Sequence, residues 1–413
     1  MKALQLTKSI PRYLLTRAIG SLYPPVFWSR LAMLQYREVA EPALPGGQWV
    51  RVRTRYGGIC GSDLHTIQLQ DSPTLSVFTS FPFTLGHENV GTVVEVGPEV
   101  EGFRPGDRVV AEPLLPCLTR GIATPCRFCQ RGEYALCQNF AEGALSPGLS
   151  IGTCRDTGGS WSPSFVAHQS QLFRIPPGVS DESALLVDSF ACALHGVMRR
   201  FPRDGDTVLI LGAGAIGLCT VAALRAAGSR ARILVLARYP FQGEMARKLG
   251  ADEVINPRQD SYEQAIARAT AGRLYRPVLG KQVLVGGADI VYECTGNGRS
   301  INDSLRLARS GGTIVLIGLA SLPTGVDWTP IWLNELTIQG SFWCDTETVE
   351  GRSVRTYQLA LDWLGEGRVD LAPLFTHRFQ LADYRRALLM AAHKGRHHVI
   401  KPAFAFAEGA YVE

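Results

Sequence analysis

The sequence predicts an α/β protein in which a doubly wound parallel-sheet domain is set into a β-rich one. Three observations lead there. From Asp206 a buried strand, VLIL, runs into a glycine turn and an Ala/Leu-rich helix, and strands then alternate with helices to about residue 343. That alternation is the pattern of a parallel sheet wound on both faces. Ahead of it, WVRVRTRY (49 to 56), VGTVVEVG (90 to 97) and DRVVAE (107 to 112) alternate or run apolar between Gly and Pro punctuation, as β-strands do. After about 345 the pattern becomes mixed again, so the middle domain (190–343) interrupts another made of 1–189 and 344–413.

Each element of the middle domain follows in order. After VLIL and its helix come a second strand, ILVLA (233 to 237), and a helix through MARKLGA. Then follow ADIVYECTG (288 to 296), a helix over SLRLARSG, and the strands GTIVLIG (312 to 318) and LTIQGSF (336 to 342). Trp332, Trp343 and Trp363 are expected to be packing residues.

Composition narrows the function classes. The 413 residues suffice for two ordinary globular domains. The net charge of +5 is spread without a basic block, which argues against a nucleic-acid surface. The amino-terminal stretch is interrupted by Lys8, Arg12 and Arg17, unlike the apolar core of a secretory signal. The uncharged run TVLILGAGAIGLCTVAAL (207 to 224) approaches the length of a membrane span. Its three central glycines favour a strand, turn and helix instead. A cytoplasmic, reducing location is therefore expected, in which clustered cysteines are metal ligands rather than disulfides.

The glycine turn, GAGAIG, carries chemistry. Gly212 permits the tight turn, Gly214 lets the backbone approach a pyrophosphate, and Gly217 lets helix and strand pack closely, with Ala215 and Ile216 opening the helix whose amides meet the phosphate. The reading is a dinucleotide site. An NAD site places an acid about 20 residues beyond the glycines, at the tip of the second strand. Here the tip reads LARYP, with Ala237 in the acid's place and Arg238 and Tyr239 following. With no carboxylate to repel a 2′-phosphate, and with Arg238 able to pair with it, NADP is expected over NAD. A solvated surface arginine on an NAD enzyme is the alternative.

A second constellation lies in GICGSDLH (58 to 65) and LGHENVGTVVEVG (85 to 97). Cys60, His87 and Glu88 are all acceptable zinc ligands, although their separation is too loose to be diagnostic. A buried cysteine and a satisfied histidine would also explain them.

Together, GICGSDLH, GHENVG, GDRV (106 to 109), GAGAIG and a four-cysteine segment (115–138) resemble the zinc-dependent alcohol dehydrogenases of the medium-chain dehydrogenase/reductase superfamily, most closely the branch of polyol, glucose and threonine dehydrogenases. The resemblance spans nearly the whole chain. It implies a GroES-like β-rich catalytic domain around a Rossmann domain, with zinc in the cleft between them. The implied reaction transfers hydride between a nicotinamide cofactor and an alcohol, aldehyde or ketone. Cys60 and His87 become catalytic zinc ligands, with Glu88 as a further carboxylate able to bind the metal or hold its water. Asp188, in LVDSFACALHG, falls where the family has its third protein ligand; a helix N-cap is the other reading. Ser62 matches the hydroxyl that bonds the substrate oxygen, and His65 the histidine that hands the proton to solvent.

Cys126, Cys129 and Cys137 match the last three ligands of the family's structural zinc lobe, a closed site that does no chemistry. The family's first cysteine stands three residues before the second, where this chain has Ala123. Cys117 stands nine before it, so the loop must bulge to bring it back. A degenerate, metal-free lobe is the alternative.

Three insertions depart from a compact family member: 8–36, 66–83 and 273–287. Long loops of this kind shape binding pockets or bury against a second subunit. The expected partners are a small-molecule alcohol or carbonyl substrate and further copies of the chain, as a dimer or tetramer, with no nucleic acid and no membrane. A zinc-free quinone or enoyl reductase of the same superfamily, or a noncatalytic NADP-binding protein, would lack these ligands or relay residues.

Overall fold

Strand Thr207–Leu211 has its four apolar side chains buried and opens a six-stranded sheet, every neighbouring pair of which is parallel. Its strands lie in the order Glu253–Ile255, Arg232–Leu236, Thr207–Leu211, Ala288–Glu293, Ala308–Leu316 and Thr337–Gly340. In chain order this is 3-2-1-4-5-6, the doubly wound arrangement that reverses between the first and fourth strands. Strands buried on both faces read as apolar runs, which is why VLIL and ILVL were legible. This computed structural model describes residues 1–258 and 261–406.

The chain divides into two units, one of Ser189–Arg352 and the other of Met1–Asp188 together with the chain from Ser353. The first unit extends past residue 343. Strand Thr346–Val349 stays with it because the Glu347 carboxylate meets His195 Nδ1 at 2.6 Å, both side chains buried.

Two details correct the sequence reading. The helix expected over SLRLARSG ends at Leu307, and strand Ala308–Leu316 starts at once, so ARSG is extended. Of the three tryptophans, Trp363 is buried but Trp332 is 70% exposed. Trp332 sits on the short helix Thr329–Leu333, which has no buried residue. The insertion 273–287 forms a hairpin, Arg273–Tyr275 against Val283–Val285, that tucks Leu284 into the core and leaves Val278 and Leu279 exposed.

The other unit is built on a mostly antiparallel sheet, with Phe375–Phe379 parallel to Lys401–Ala405 at one edge. Strand Trp49–Gly58 pairs with Asn89–Val96, Ser164–His168 and Lys401–Ala405, joining chain ends more than 300 residues apart. Its core packs Leu4, Leu64, Phe83, Trp161 and Phe404 around that sheet. Among the described residues no helix is long and apolar enough to cross a membrane. The apolar run 207–224 is a sheet strand, a glycine turn and the helix Ala215–Ala226.

Candidate active site and metal centres

Strand Trp49–Gly58 delivers Cys60 to the N-cap of the helix Gly61–Ile67. The Cys60 amide donates to Asp63 Oδ2 at 2.8 Å, which closes the turn. The other Asp63 oxygen faces His87 Nδ1 at 3.5 Å. A carboxylate behind one imidazole nitrogen leaves Nε2 to act as a ligand and fixes the ring's orientation. His87 itself is held through its carbonyl, which accepts from Asn89 Nδ2 at 2.8 Å; Asn89 also spans to Ala111 in both directions.

Among the described residues, the donor atoms of Cys60, His87 and Glu88 lie within 4.8 Å of one another. A thiolate, an imidazole and a carboxylate converging in this way fit a zinc ion. Burial alone would push the His87 imidazole down, but Asp63 and then Cys60 more than offset it, so its pKa lies well above the usual range. An environment that attracts a proton in this way attracts a metal cation too, and binding the cation displaces the proton.

Glu88 is fully buried, and its Oε1 accepts from the Lys401 ammonium, also buried. Burial pushes that ammonium down, yet Glu88 and Cys60 hold its pKa above the ordinary lysine value. The carboxylate sits so close to the backbone of Gly58 that a Cβ there would meet Glu88 Oε2 at 2.2 Å. Only glycine fits at 58. Asp188 lies outside the three-donor group: its Oδ1 accepts from Tyr357 Oη at 2.6 Å, in the first turn of the helix Val187–Arg199 rather than at its N-cap.

Two polar atoms on the helix Gly61–Ile67 that follows Cys60, Ser62 Oγ and His65 Nδ1, are buried and have no hydrogen-bond partner among the described residues. Burial pushes the His65 imidazole below its usual range, with Lys394 adding to this and Asp71 opposing it. A buried hydroxyl and ring nitrogen left unsatisfied are costly unless a ligand completes them.

The second cluster is Cys117, Cys126, Cys129 and Cys137, again with sulfurs mutually within 4.8 Å. Cys117 and Cys137 Sγ stand 3.6 Å apart. That is far beyond a disulfide bond and close to the roughly 3.8 Å edge of a tetrahedron with 2.3 Å zinc–sulfur bonds. Among the described residues no disulfide joins any of the cysteines. N–H groups point at the sulfurs: Cys126 N and Asn139 Nδ2 at Cys117 (3.3 and 3.2 Å), and Asn139 N at Cys137 (3.4 Å). The hydrogen bond from Cys129 and then the Asn139 amide draw the Cys137 pKa down, while the bond to Cys137 and then burial drive Cys129 up.

The bulge required by the Cys117 spacing is present. Arg120, at its centre, is completely buried and donates to the carbonyls of Leu115, Glu142, Leu145, Ser146 and Gly148 at 2.7 to 3.3 Å. One guanidinium fork thereby pins both arms of the lobe.

In the sheet domain, Gly212 adopts φ +98°, and a Cβ at Gly217 would meet the Gly212 carbonyl oxygen at 1.8 Å. At Gly214, the N-cap of Ala215–Ala226, a Cβ would meet nothing within 4 Å. Tight turn, close packing and open space at the helix start are the three provisions a pyrophosphate needs. At the end of strand Arg232–Leu236, Ala237 is buried and Arg238 exposed. The guanidiniums of Arg238 and Arg258 both lie over the Tyr239 ring, at 5.5 and 5.4 Å.

Sequence reasoning missed Asp63, Lys401, Tyr357, Arg120 and Arg258. Asp63 had a signal in its spacing, three residues after Cys60 as in a capping box. The other four reach their sites only through long-range packing.

Residues 46–177 match the alcohol dehydrogenase GroES-like domain, and residues 215–363 the zinc-binding dehydrogenase domain. The chain is 31% identical over 86% of its length to L-threonine 3-dehydrogenase of Paraburkholderia xenovorans, covering 91% of that protein. The chain belongs to the zinc-binding alcohol dehydrogenases. It is also 30% identical to L-idonate 5-dehydrogenase of Vitis vinifera, over 81% of each chain. Among solved structures, a zinc-binding dehydrogenase from Sinorhizobium meliloti bound to NADP superposes with a TM-score of 0.72 at 26% identity, covering 98% of this chain and 99% of that one. Membership makes this chain an NAD(P)-dependent oxidoreductase that transfers hydride between a nicotinamide cofactor and an alcohol or carbonyl substrate.

Proposed function

We propose that the enzyme uses NADP in preference to NAD, and that Cys60, His87 and Glu88 form its catalytic zinc site, with Asp188 as an outer carboxylate. The convergence of the three donors within 4.8 Å supports this most directly. Bound zinc supplies a Lewis acid that lowers the pKa of an alcohol oxygen or polarises a carbonyl. Around it the chain's own groups divide the work. Asp63 orients His87, Lys401 balances the buried charge of Glu88, and Tyr357 fixes Asp188. Ser62 Oγ exchanges a proton with the substrate oxygen, and His65 passes it to solvent, which accounts for their unsatisfied atoms. Cys117, Cys126, Cys129 and Cys137 hold a structural zinc.

The cofactor preference rests on two guanidiniums beside Tyr239 and a buried alanine where an NAD site places its acid. Removing Arg238 or Arg258 as alanine lowers kcat/KM with NADPH by about 10- to 100-fold and leaves NADH turnover unchanged. A wild-type preference for NADH overturns the assignment. The site holds an alcohol or carbonyl, and a panel of such compounds read through nicotinamide absorbance identifies it. We further propose a homo-oligomer. Strand Thr337–Gly340 forms one edge of its sheet, and Trp328, Trp332 and Leu333 just before it are exposed, as expected of a surface paired with a second copy. That no disulfide joins the cysteines among the described residues favours a cytoplasmic location.

A further inference from the structure

The helix Ile10–Gly20 in the first insertion is inside out. Its buried residues are Thr16 and Gly20, and Gly20 lies against the Phe27 ring, which a Cβ would meet at 2.1 Å. Its outward stripe is apolar: Ile10 is 67% exposed and Leu14 61%, one turn apart, with Leu15 beside them. The segment that follows continues the surface, with Leu22 at 89% exposed and Tyr23 and Leu31 also in solvent. An ordinary surface helix buries such residues; here six large apolar side chains stand outward in one 22-residue stretch.

The charge carried by this segment has one sign. Residues 1–37 contain six Lys and Arg and no Asp or Glu. Lys2 is paired with Glu38, but Lys8, Arg17 and Arg30 are exposed and without an ion pair among the described residues. Beside this surface an open groove of about 530 Å³ is lined by Pro25, Trp28, Arg30, Arg385, Arg386 and Leu389, apolar side chains together with three arginines.

We propose that this insertion docks the enzyme on an anionic lipid surface, with Ile10, Leu14, Leu15 and Leu22 entering the headgroup and acyl boundary and the basic side chains meeting lipid phosphates. Apolar side chains ringed by Lys and Arg on a helix too short to span are the signature of an interfacial element. A second copy of the chain fits less well, because a two-fold axis would set like charges against each other. Nucleic acid would meet the charges but leave the leucines in water. The sequence reading expected no membrane partner; the exposure of this helix is what changes that, and the inference stands apart from the catalytic assignment.

The test is co-sedimentation of the full chain with vesicles. Mixed phosphatidylcholine–phosphatidylglycerol vesicles bind the protein, whereas phosphatidylcholine vesicles or raised salt weaken binding by about tenfold or more. The double variants Leu14→Glu/Leu22→Glu and Lys8→Glu/Arg17→Glu each lose binding to a similar extent, with zinc content, melting temperature and turnover of a dissolved alcohol unchanged. No vesicle binding, binding indifferent to lipid charge, or binding unaffected by either variant overturns the proposal. A change of oligomer size in Leu14→Glu/Leu22→Glu without vesicle binding assigns the face to a second copy. Binding to a short DNA duplex but not to vesicles assigns it to nucleic acid.

Discussion

The two donor clusters use the same element type, a cysteine thiolate, to opposite ends. The lobe draws all four sulfurs from residues 117 to 137, and backbone amides plus the Asn139 side chain point at them. It is closed, so a metal there has no vacant position and contributes folding energy. The other cluster joins Cys60 to His87 and Glu88, is oriented by Asp63, and is balanced by Lys401 from the far end of the chain. It has fewer protein donors, and two unsatisfied polar atoms lie on the helix that follows Cys60. In the proposed catalytic role such a site stays open for substrate and cannot be satisfied by its own loop, which fits a geometry borrowed from neighbouring elements.

That contrast is sharpest in single substitutions. Cys60→Ser is expected to reduce kcat/KM by about a thousandfold or more, since several kcal/mol of charge stabilisation go with the metal. Metal analysis should then show one zinc per chain instead of two. Unchanged zinc content and turnover would remove Cys60 from the site.

Cys126→Ser is expected to do the reverse. It should cost roughly 3 to 4 kcal/mol of stability, read in thermal or denaturant unfolding, while turnover per folded molecule stays the same. A single zinc in the intact protein would break the comparison by leaving the lobe metal-free.

The smallest of the three effects tests the borrowed geometry. Asp63→Asn keeps the shape but weakens the partner of His87, and should lower affinity for the catalytic zinc by about 10- to 100-fold without touching the lobe. Equal loss from both clusters under chelator titration would show that Asp63 serves general stability instead.

How much of this was legible follows from how far each signal reaches along the chain. The glycine turn was readable in full, because one strand, one turn and one helix start lie within a dozen residues and each glycine answers a local demand. Cys126, Cys129 and Cys137 were readable for the same reason, whereas Cys117 required a bulge whose cause, Arg120 bonded to five carbonyls, has no local pattern. Ser62 and His65 were placed by resemblance, and only the structure displays their unsatisfied atoms. The helix over SLRLARSG was overextended because Ala and Arg favour helix, while pairing with the neighbouring strand pulls residues from Ala308 into the sheet.

The sequence by itself determined the alternation of strands and helices, the dinucleotide turn, and the types of atom offered to a metal, since these depend on periodicity and on residues near one another in the chain. Tertiary structure alone decided that Lys401 reaches Glu88, that Tyr357 reaches Asp188, that Arg258 joins Arg238 at Tyr239, and that the helix Ile10–Gly20 turns its apolar stripe to solvent. The physical reason is common to all four. Which face of an element is buried, and which charge meets which across tens or hundreds of residues, is set by the packing of whole surfaces, and no local pattern encodes the partner.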